Sequence, residues 1–408
     1  MGEATATGLQ GRIETLLAAR TDANRSFFAA EADRLARCCH RMAERFARGG
    51  RLIAVGSSPA ARSDVRHVAV EFVHPVIVGK RALPAIGLGP EGGRLAEQLA
   101  LLAESDDIVV GFGADEVDGE AAAALAAAID RGCMTLAFAP VGAEWEFEPP
   151  ATDPFIRQEL VETLYHVLWE LVHVFFDHRG LLSGREARTV HDSGASSFLY
   201  PFLGESETDL ETVIADVRES VLMKADEVGA LREQTLTENG DVLRAAAAEL
   251  RRRLDAGGKL LAFGNGGSAT DASDLVADLR SPPEARWAAR TAIDLTEDSS
   301  ILTAIANDVG VEQVFQRQVI AYGRDRDAAV ALSTSGNSAN LIVALGEARR
   351  RGLATIAMVG YDGGRIAAES LADHVVLTRS EHIPRIQEAQ ASAYHVLREL
   401  IELGGENR

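Results

Sequence analysis

The sequence predicts two tandem α/β domains, each a parallel β-sheet with helices on both faces, and three observations carry that prediction. Apolar runs of only four or five residues alternate with amphipathic helical stretches, the pattern of buried parallel strands joined by crossover helices. The plan is used twice: residues 49–56 read GGRLIAVG and residues 257–264 read GGKLLAFG. The far ends of the two copies also match, Ile156-Arg157-Gln158-Glu159 with Tyr165-His166-Val167 against Ile386-Gln387-Glu388 with Tyr394-His395-Val396, and in both Gln precedes His by eight residues.

Taken in order, the first copy opens on a long helix from Phe27 to Arg48 that feeds its first strand. Residues Gly180 to Glu207, rich in Gly, Ser and turn formers, mark the boundary. The expected division is 1–190, a linker at 191–208, and 209–408. Asp209 to Thr235 reads as the first long helix of the second copy and Val242 to Ala256 as the next. Its strands are expected at Leu260–Phe263, Thr291–Leu295, Ala328–Leu332, Thr355–Val359 and His374–Leu377. The offset between copies grows from 208 residues (Gly56 to Gly264) to 229 (His166 to His395), so the second copy is the longer.

The 408 residues suit two domains of about 200 each. A hydrophobic share of 47% with 25% charged residues is ordinary for a folded chain with a substantial core. The formal charge of −20 argues against a nucleic-acid-binding face, which needs cationic surface. Cys38, Cys39 and Cys133 have no metal-binding spacing and read as buried thiols in a reducing compartment. With no signal segment and no apolar run near 18 residues, the expectation is a cytoplasmic protein without a membrane partner.

Two loops carry the chemistry. After the strand Leu260–Phe263 come Gly264, Asn265, Gly266, Gly267 and Ser268, opening a helix, and after Ala328–Leu332 come Ser333, Thr334, Ser335, Gly336, Asn337 and Ser338, opening another. Gly-rich turns let backbone approach an anion, helix-start N–H groups point at it, and hydroxyls add donors. Two such loops at the carboxyl ends of neighbouring strands lie where open α/β sheets bind ligands.

The segments GNGGSATD, TAIANDVG, STSGNSAN and RIQEAQASAYH, in this order, resemble the phosphoheptose isomerase family. The resemblance implies a sugar-isomerase (SIS) domain from Asp209 to Glu402, a flavodoxin-like three-layer sandwich, with a more distant SIS copy before it. It implies a phosphorylated-sugar partner, converted from sedoheptulose 7-phosphate to a heptose 7-phosphate. The substrate contacts it implies are Asn265, Gly266, Gly267, Ser268, Ser333, Thr334, Ser335, Asn337 and Ser338, with Asp308 on a sugar hydroxyl. A homodimer of four SIS domains is expected by analogy.

In that family a His and a Glu one helical turn apart join a later Gln and His to hold zinc, and the Glu and late His move the proton. Here the second copy has Asp274 and Asp278 at the first two positions, with Gln387 and His395 matching the later pair. This oxygen-rich set shifts preference toward harder divalent ions. Arg280 stands near the family's basic contact. The first copy keeps the complete quartet His67, Glu71, Gln158 and His166, the expected zinc set, but Gly56-Ser57-Ser58-Pro59-Ala60 and the acidic stretch from Gly113 to Asp118 replace its loops. The expectation is an aldose–ketose isomerase with Asp278 or Glu71 as base and His395 or His166 as acid, a divalent metal and no organic cofactor. The alternative is a non-catalytic SIS protein that binds a phosphosugar as sensor or scaffold.

Overall fold

Strand alternation in the second copy dictates where its core lies. The computed structural model describes residues 3–77, 80–113, 119–178, 181–182 and 209–403; the expected linker at 191–208 lies outside them. These residues form two compact units. One, here the N-terminal unit, comprises Ala23–Asp153 and Leu160–Asp226; the other, the C-terminal unit, comprises Glu227–Arg408 with the chain through Asp22 and the segment Pro154–Glu159.

In the N-terminal unit the elements are α1 (Glu3–Ala47), β1 (Leu52–Val55), α2 (Pro59–Val73), β2 (Ala85–Leu88), α3 (Leu95–Leu102), β3 (Ile108–Gly111), α4 (Glu120–Asp130), β4 (Met134–Ala137), β5 (Trp145–Glu146) and α5 (Pro154–Asp177). The first turns of α1 and of α5 are counted with the other unit. The sheet order is β2-β1-β3-β4-β5, all parallel. Ile53, Val55 and Val109 pack with Leu95, Leu99 and Leu125 on one face.

The C-terminal unit contains α6 (Leu210–Glu238), from Glu227 onward, then α7 (Gly240–Asp255), β6 (Leu260–Phe263), α8 (Gly267–Arg280), β7 (Ala292–Asp294), α9 (Ser299–Asp308), α10 (Val314–Tyr322), β8 (Ala328–Ser333), α11 (Ala339–Arg350), β9 (Ala354–Gly360), α12 (Gly364–Ala368), β10 (His374–Thr378) and α13 (Ile383–Leu403). Its sheet runs β10-β9-β8-β6-β7, again parallel. Read from the other edge this is the order of the first sheet, so the duplication holds at the level of topology.

Successive strand side chains point to opposite faces, and both faces of this sheet are covered. Leu260 and Ala262 of β6, with Val330 and Leu332 of β8, pack against Leu250, Leu275, Tyr394 and Leu397, where Ile13 and Leu16 of α1 also insert. Leu261 and Phe263, with Ala329 and Ala331, face Phe315, Val319, Leu341 and Leu345 instead. Continuous apolar runs at these strands are therefore required, because neither side of the pleat meets water.

An ion pair to a buried aspartate is repeated between the copies at the start of the central strands. Asp107 accepts from the Arg51 backbone N–H at 2.8 Å and pairs with its guanidinium at 2.7 Å. Asp327 accepts from the Lys259 N–H at 3.0 Å and pairs with its ammonium. Among the described residues no helix is long and apolar enough to cross a membrane. The three cysteines are free and buried.

Candidate functional site

The order β10-β9-β8-β6-β7 reverses direction between β6 and β8, and the two loops named from the sequence leave the ends of those two strands. This is the switch point at which open α/β sheets hold ligands. The α8 start is preceded by Gly266 at φ +57, and neither α8 nor α11 has a side chain capping its first turn. Their leading N–H groups suit an anion. Ser268 is buried in the first turn of α8, whereas Thr334, Ser335 and Ser338 are half-buried.

Within the second loop the Gly336 N–H donates to Ser333 Oγ at 3.0 Å, and the Asn337 side-chain oxygen accepts from the Arg365 N–H at 2.9 Å. Gly336 sits at φ +64, and a Cβ there would collide with the Gly363 carbonyl. Two residues the sequence did not single out hold the loops in place. Asn340 exchanges reciprocal amide hydrogen bonds with Asn265, at 3.0 and 2.9 Å, tying the first loop to the second. Gln390 of α13 donates to the Ser333 carbonyl at 3.3 Å. Asp308 is exposed at the end of α9 and accepts from the Asn307 amide at 2.8 Å. Arg280 donates to the Ala292 carbonyl and faces Glu297.

From the first loop α8 runs to a buried acid–histidine cluster. Asp274 and Asp278, one turn apart and on one helix face, both reach His395 of α13: its Nε2 lies 3.4 Å from Asp274 Oδ2 and 3.6 Å from Asp278 Oδ2. The Tyr394 hydroxyl donates to Asp274 at 2.9 Å, and the other histidine nitrogen, Nδ1, lies 2.9 Å from Glu159 Oε1. Gln387 is buried two turns earlier on α13. Burial, and next the Asp274 charge, hold Asp278 well above the usual carboxylate range. Burial alone would lower His395, but the Asp274 and Glu159 carboxylates outweigh it and raise the imidazole to about 10.

That shift makes a stability prediction for the metal-free protein. The histidine's folded-state value lies above its ordinary 6.5, so the charged ring's stabilisation is complete below that value. It is lost as pH rises through about 10. Urea unfolding of chelator-treated protein is expected to show lower stability at pH 9.5 than at pH 6, by an amount that His395→Gln removes.

In the N-terminal unit the described residues hold a second group. His67 of α2 and Glu162 and His166 of α5 bring ligand atoms within reach of one ion, all three buried. His67 Nε2 is 3.3 Å from His166 Nε2 and 3.9 Å from Glu71 Oε1. Glu162, one turn before His166, was missed by the sequence reading, although the i−4 spacing from His166 points to it. Gln158, two turns before, is counted with the C-terminal unit. The phosphate position has no counterpart here: the Ser58 hydroxyl accepts from the Ala61 N–H at 3.1 Å and caps α2, with Pro59 in its first turn. The acidic stretch 114–118 lies outside the described residues.

Both groups suit a metal on spacing. Ligand atoms of a four-coordinate site with bonds of about 2.0–2.1 Å lie roughly 3.3–3.4 Å apart. The 3.4 and 3.6 Å separations around His395 and the 3.3 Å between the two imidazoles are of that size.

The fold and the loops define a SIS-domain protein, and the SIS domain profile matches residues 225–360. Phosphoheptose isomerase from Nitratidesulfovibrio vulgaris is 41% identical over 187 residues, which are 46% of this chain and 89% of that protein. The enzyme of the same name from Desulfovibrio desulfuricans is 44% identical over 172 residues, 42% of this chain and 81% of that one. The chain belongs to the phosphoheptose isomerase family, and is thus an enzyme of the sugar-phosphate isomerase class. Across nearly its whole length it shares the fold of the C-terminal domain of glucosamine-fructose-6-phosphate aminotransferase from Francisella tularensis, with TM-score 0.59, 11% identity, and 96% of this chain and 95% of that one covered.

Proposed function

We propose that the C-terminal unit interconverts sedoheptulose 7-phosphate and a D-glycero-heptose 7-phosphate. The observation that carries this reading is the convergence of Asp274 and Asp278, on the helix that starts at the phosphate loop, with His395 of α13. From Ser268 to Asp274 is six helical residues, about 9 Å, close to the span from a terminal phosphate to the reacting carbons of an extended heptose. The phosphate would rest on the N–H groups of Gly266, Gly267 and Ser268 and on Ser333, Thr334, Ser335 and Ser338. Asn265 and Asn337 would hold the loops in shape, and Asp308 would meet a sugar hydroxyl. Asp278 takes the proton from C1. His395 serves the oxygens, and the proton returns to C2 through an enediolate. Asp274, Asp278 and His395, with Gln387 adjacent on α13, would hold a divalent ion, which supplies polarisation of the carbonyl and hydroxyl oxygens when bound.

In the N-terminal unit, His67, Glu71, Glu162 and His166 would hold zinc in a structural role, since Ser58 closes the position that phosphate would take. Two chains would pair into a four-domain homodimer, as the family analogy leads one to expect.

The test is deuterium exchange at C1 of sedoheptulose 7-phosphate, with metal counted per chain. Wild type is expected to exchange. His166→Ala is expected to lose one metal equivalent with turnover unchanged; loss of turnover in that variant would move the chemistry to the N-terminal unit. Protein that binds the sugar phosphate without exchange would overturn the isomerase reading of this site.

A further inference from the structure

The carboxylate behind His395 comes from a residue 236 positions earlier in the chain. Glu159 lies near the start of α5, the late helix of the first copy, yet it is counted with the C-terminal unit. Its Oε1 is 2.9 Å from His395 Nδ1, and both side chains are 1% exposed. The same carboxylate accepts from Ser392 Oγ at 2.6 Å and from Arg20 Nε at 2.9 and 3.2 Å. Arg20, itself buried, is shared with Glu399 at 3.3 Å. One turn before Glu159 on the same helix face, Phe155 stacks on the His395 ring with centroids 4.4 Å apart and planes 14° from parallel. The ring is thus held on one face and at one nitrogen by residues of the first copy.

We propose that Glu159 is a positioning residue for His395, fixing the ring so that Nε2, and not Nδ1, is presented to Asp274 and Asp278. The chemistry is direct. An ionised carboxylate only accepts hydrogen bonds, so Nδ1 carries a proton, and the neutral ring then has its lone pair on Nε2. A carboxylate behind a histidine also raises the basicity of the presented nitrogen and locks its orientation. Arg20 lets the carboxylate stay ionised while buried, since an unpaired buried charge is strongly disfavoured. The inference rests on the reading of Asp274, Asp278 and His395 as the working group, but its first readout does not.

Three measurements on the full chain test it. In proton NMR a strongly downfield ring N–H resonance, assigned by its absence in His395→Ala, is expected in wild type and lost in Glu159→Gln. The affinity of metal-free protein for Zn²⁺ alone is expected to weaken about 10–100-fold in Glu159→Gln, with a fall of that size in kcat and little change in KM. In the His395→Ala background Glu159→Gln should add nothing. Glu159→Asp, which keeps the charge beside Arg20, should restore part of each signal, and Arg20→Met with Glu159→Gln removes the buried pair together if the single variant does not fold. An unchanged downfield resonance, or unchanged Zn²⁺ affinity and kcat in folded Glu159→Gln, overturns the proposal. A resonance that depends on Glu159 in a wild-type protein that does not isomerise leaves the positioning intact and removes the isomerase reading instead.

Discussion

His395→Ala is expected to lower kcat for heptose-phosphate isomerisation by about 10²–10⁴-fold, the range a positioned acid–base group supplies. It is expected to leave KM nearly unchanged. The split follows from the division of labour along α8 and α13. The loops that would hold phosphate are fixed by Gly336, Asn265 and Asn340, none of which touches the imidazole, while His395 meets Asp274 and Asp278 at the other end of α8. Steady-state kinetics with calorimetric binding of the sugar phosphate would measure both quantities. A variant that loses binding in step with turnover would show that the histidine organises the pocket instead of acting on the substrate.

Gly336→Ala should give the opposite pattern. A residue with a Cβ at φ +64 carries about 1–2 kcal/mol of backbone strain. The new carbon would also meet the Gly363 carbonyl, which is backbone and cannot swing aside. The loop must move, taking the Ser333 and Ser335 hydroxyls with it. A displacement near 1 Å at a site that depends on alignment costs on the order of 10²-fold. Affinity for the sugar phosphate is therefore expected to fall by about that factor, with the metal content unchanged. Gly346→Ala is the control, because that glycine lies in α11 with open space beside it, where added helix propensity should stabilise by about 0.5–1 kcal/mol. Equal affinities for the two variants would mean that this loop does not hold the ligand.

Much of the framework was legible in the residues because it is written in local patterns. The strands Leu260–Phe263 and Ala328–Ser333 follow from apolar runs bounded by Gly, Lys and Ser, and the loops follow from where those runs stop. The duplication was visible as two copies of one phrase, and the two sheets share one strand order. What the sequence could not disclose depends on partners far apart along the chain. Asn265 was expected as a substrate contact from the family resemblance, but its amide exchange with Asn340, 75 positions later, could not be read from the sequence. Glu162 lies beside His67 and His166, a proximity set by how α2 packs on α5, whereas the family spacing names only Gln158. Glu159 was visible only as one residue of the repeated helix, and nothing near it in sequence hints at a histidine 236 positions later. The first helix was expected from Phe27, but it begins at Glu3, and Ile13 and Leu16 on its early turns join the core of the C-terminal unit.

That borrowed stretch of α1 and the first turns of α5 bear on the history of the gene. A duplicated domain that stays self-sufficient can be lost again by a single deletion. Here the second copy completes its interior with Ile13 and Leu16 and seats its histidine with Phe155 and Glu159. A deletion that removed the first copy would take those four side chains with it. The second copy has come to depend on the first, so a deletion that left it alone would leave that domain incomplete.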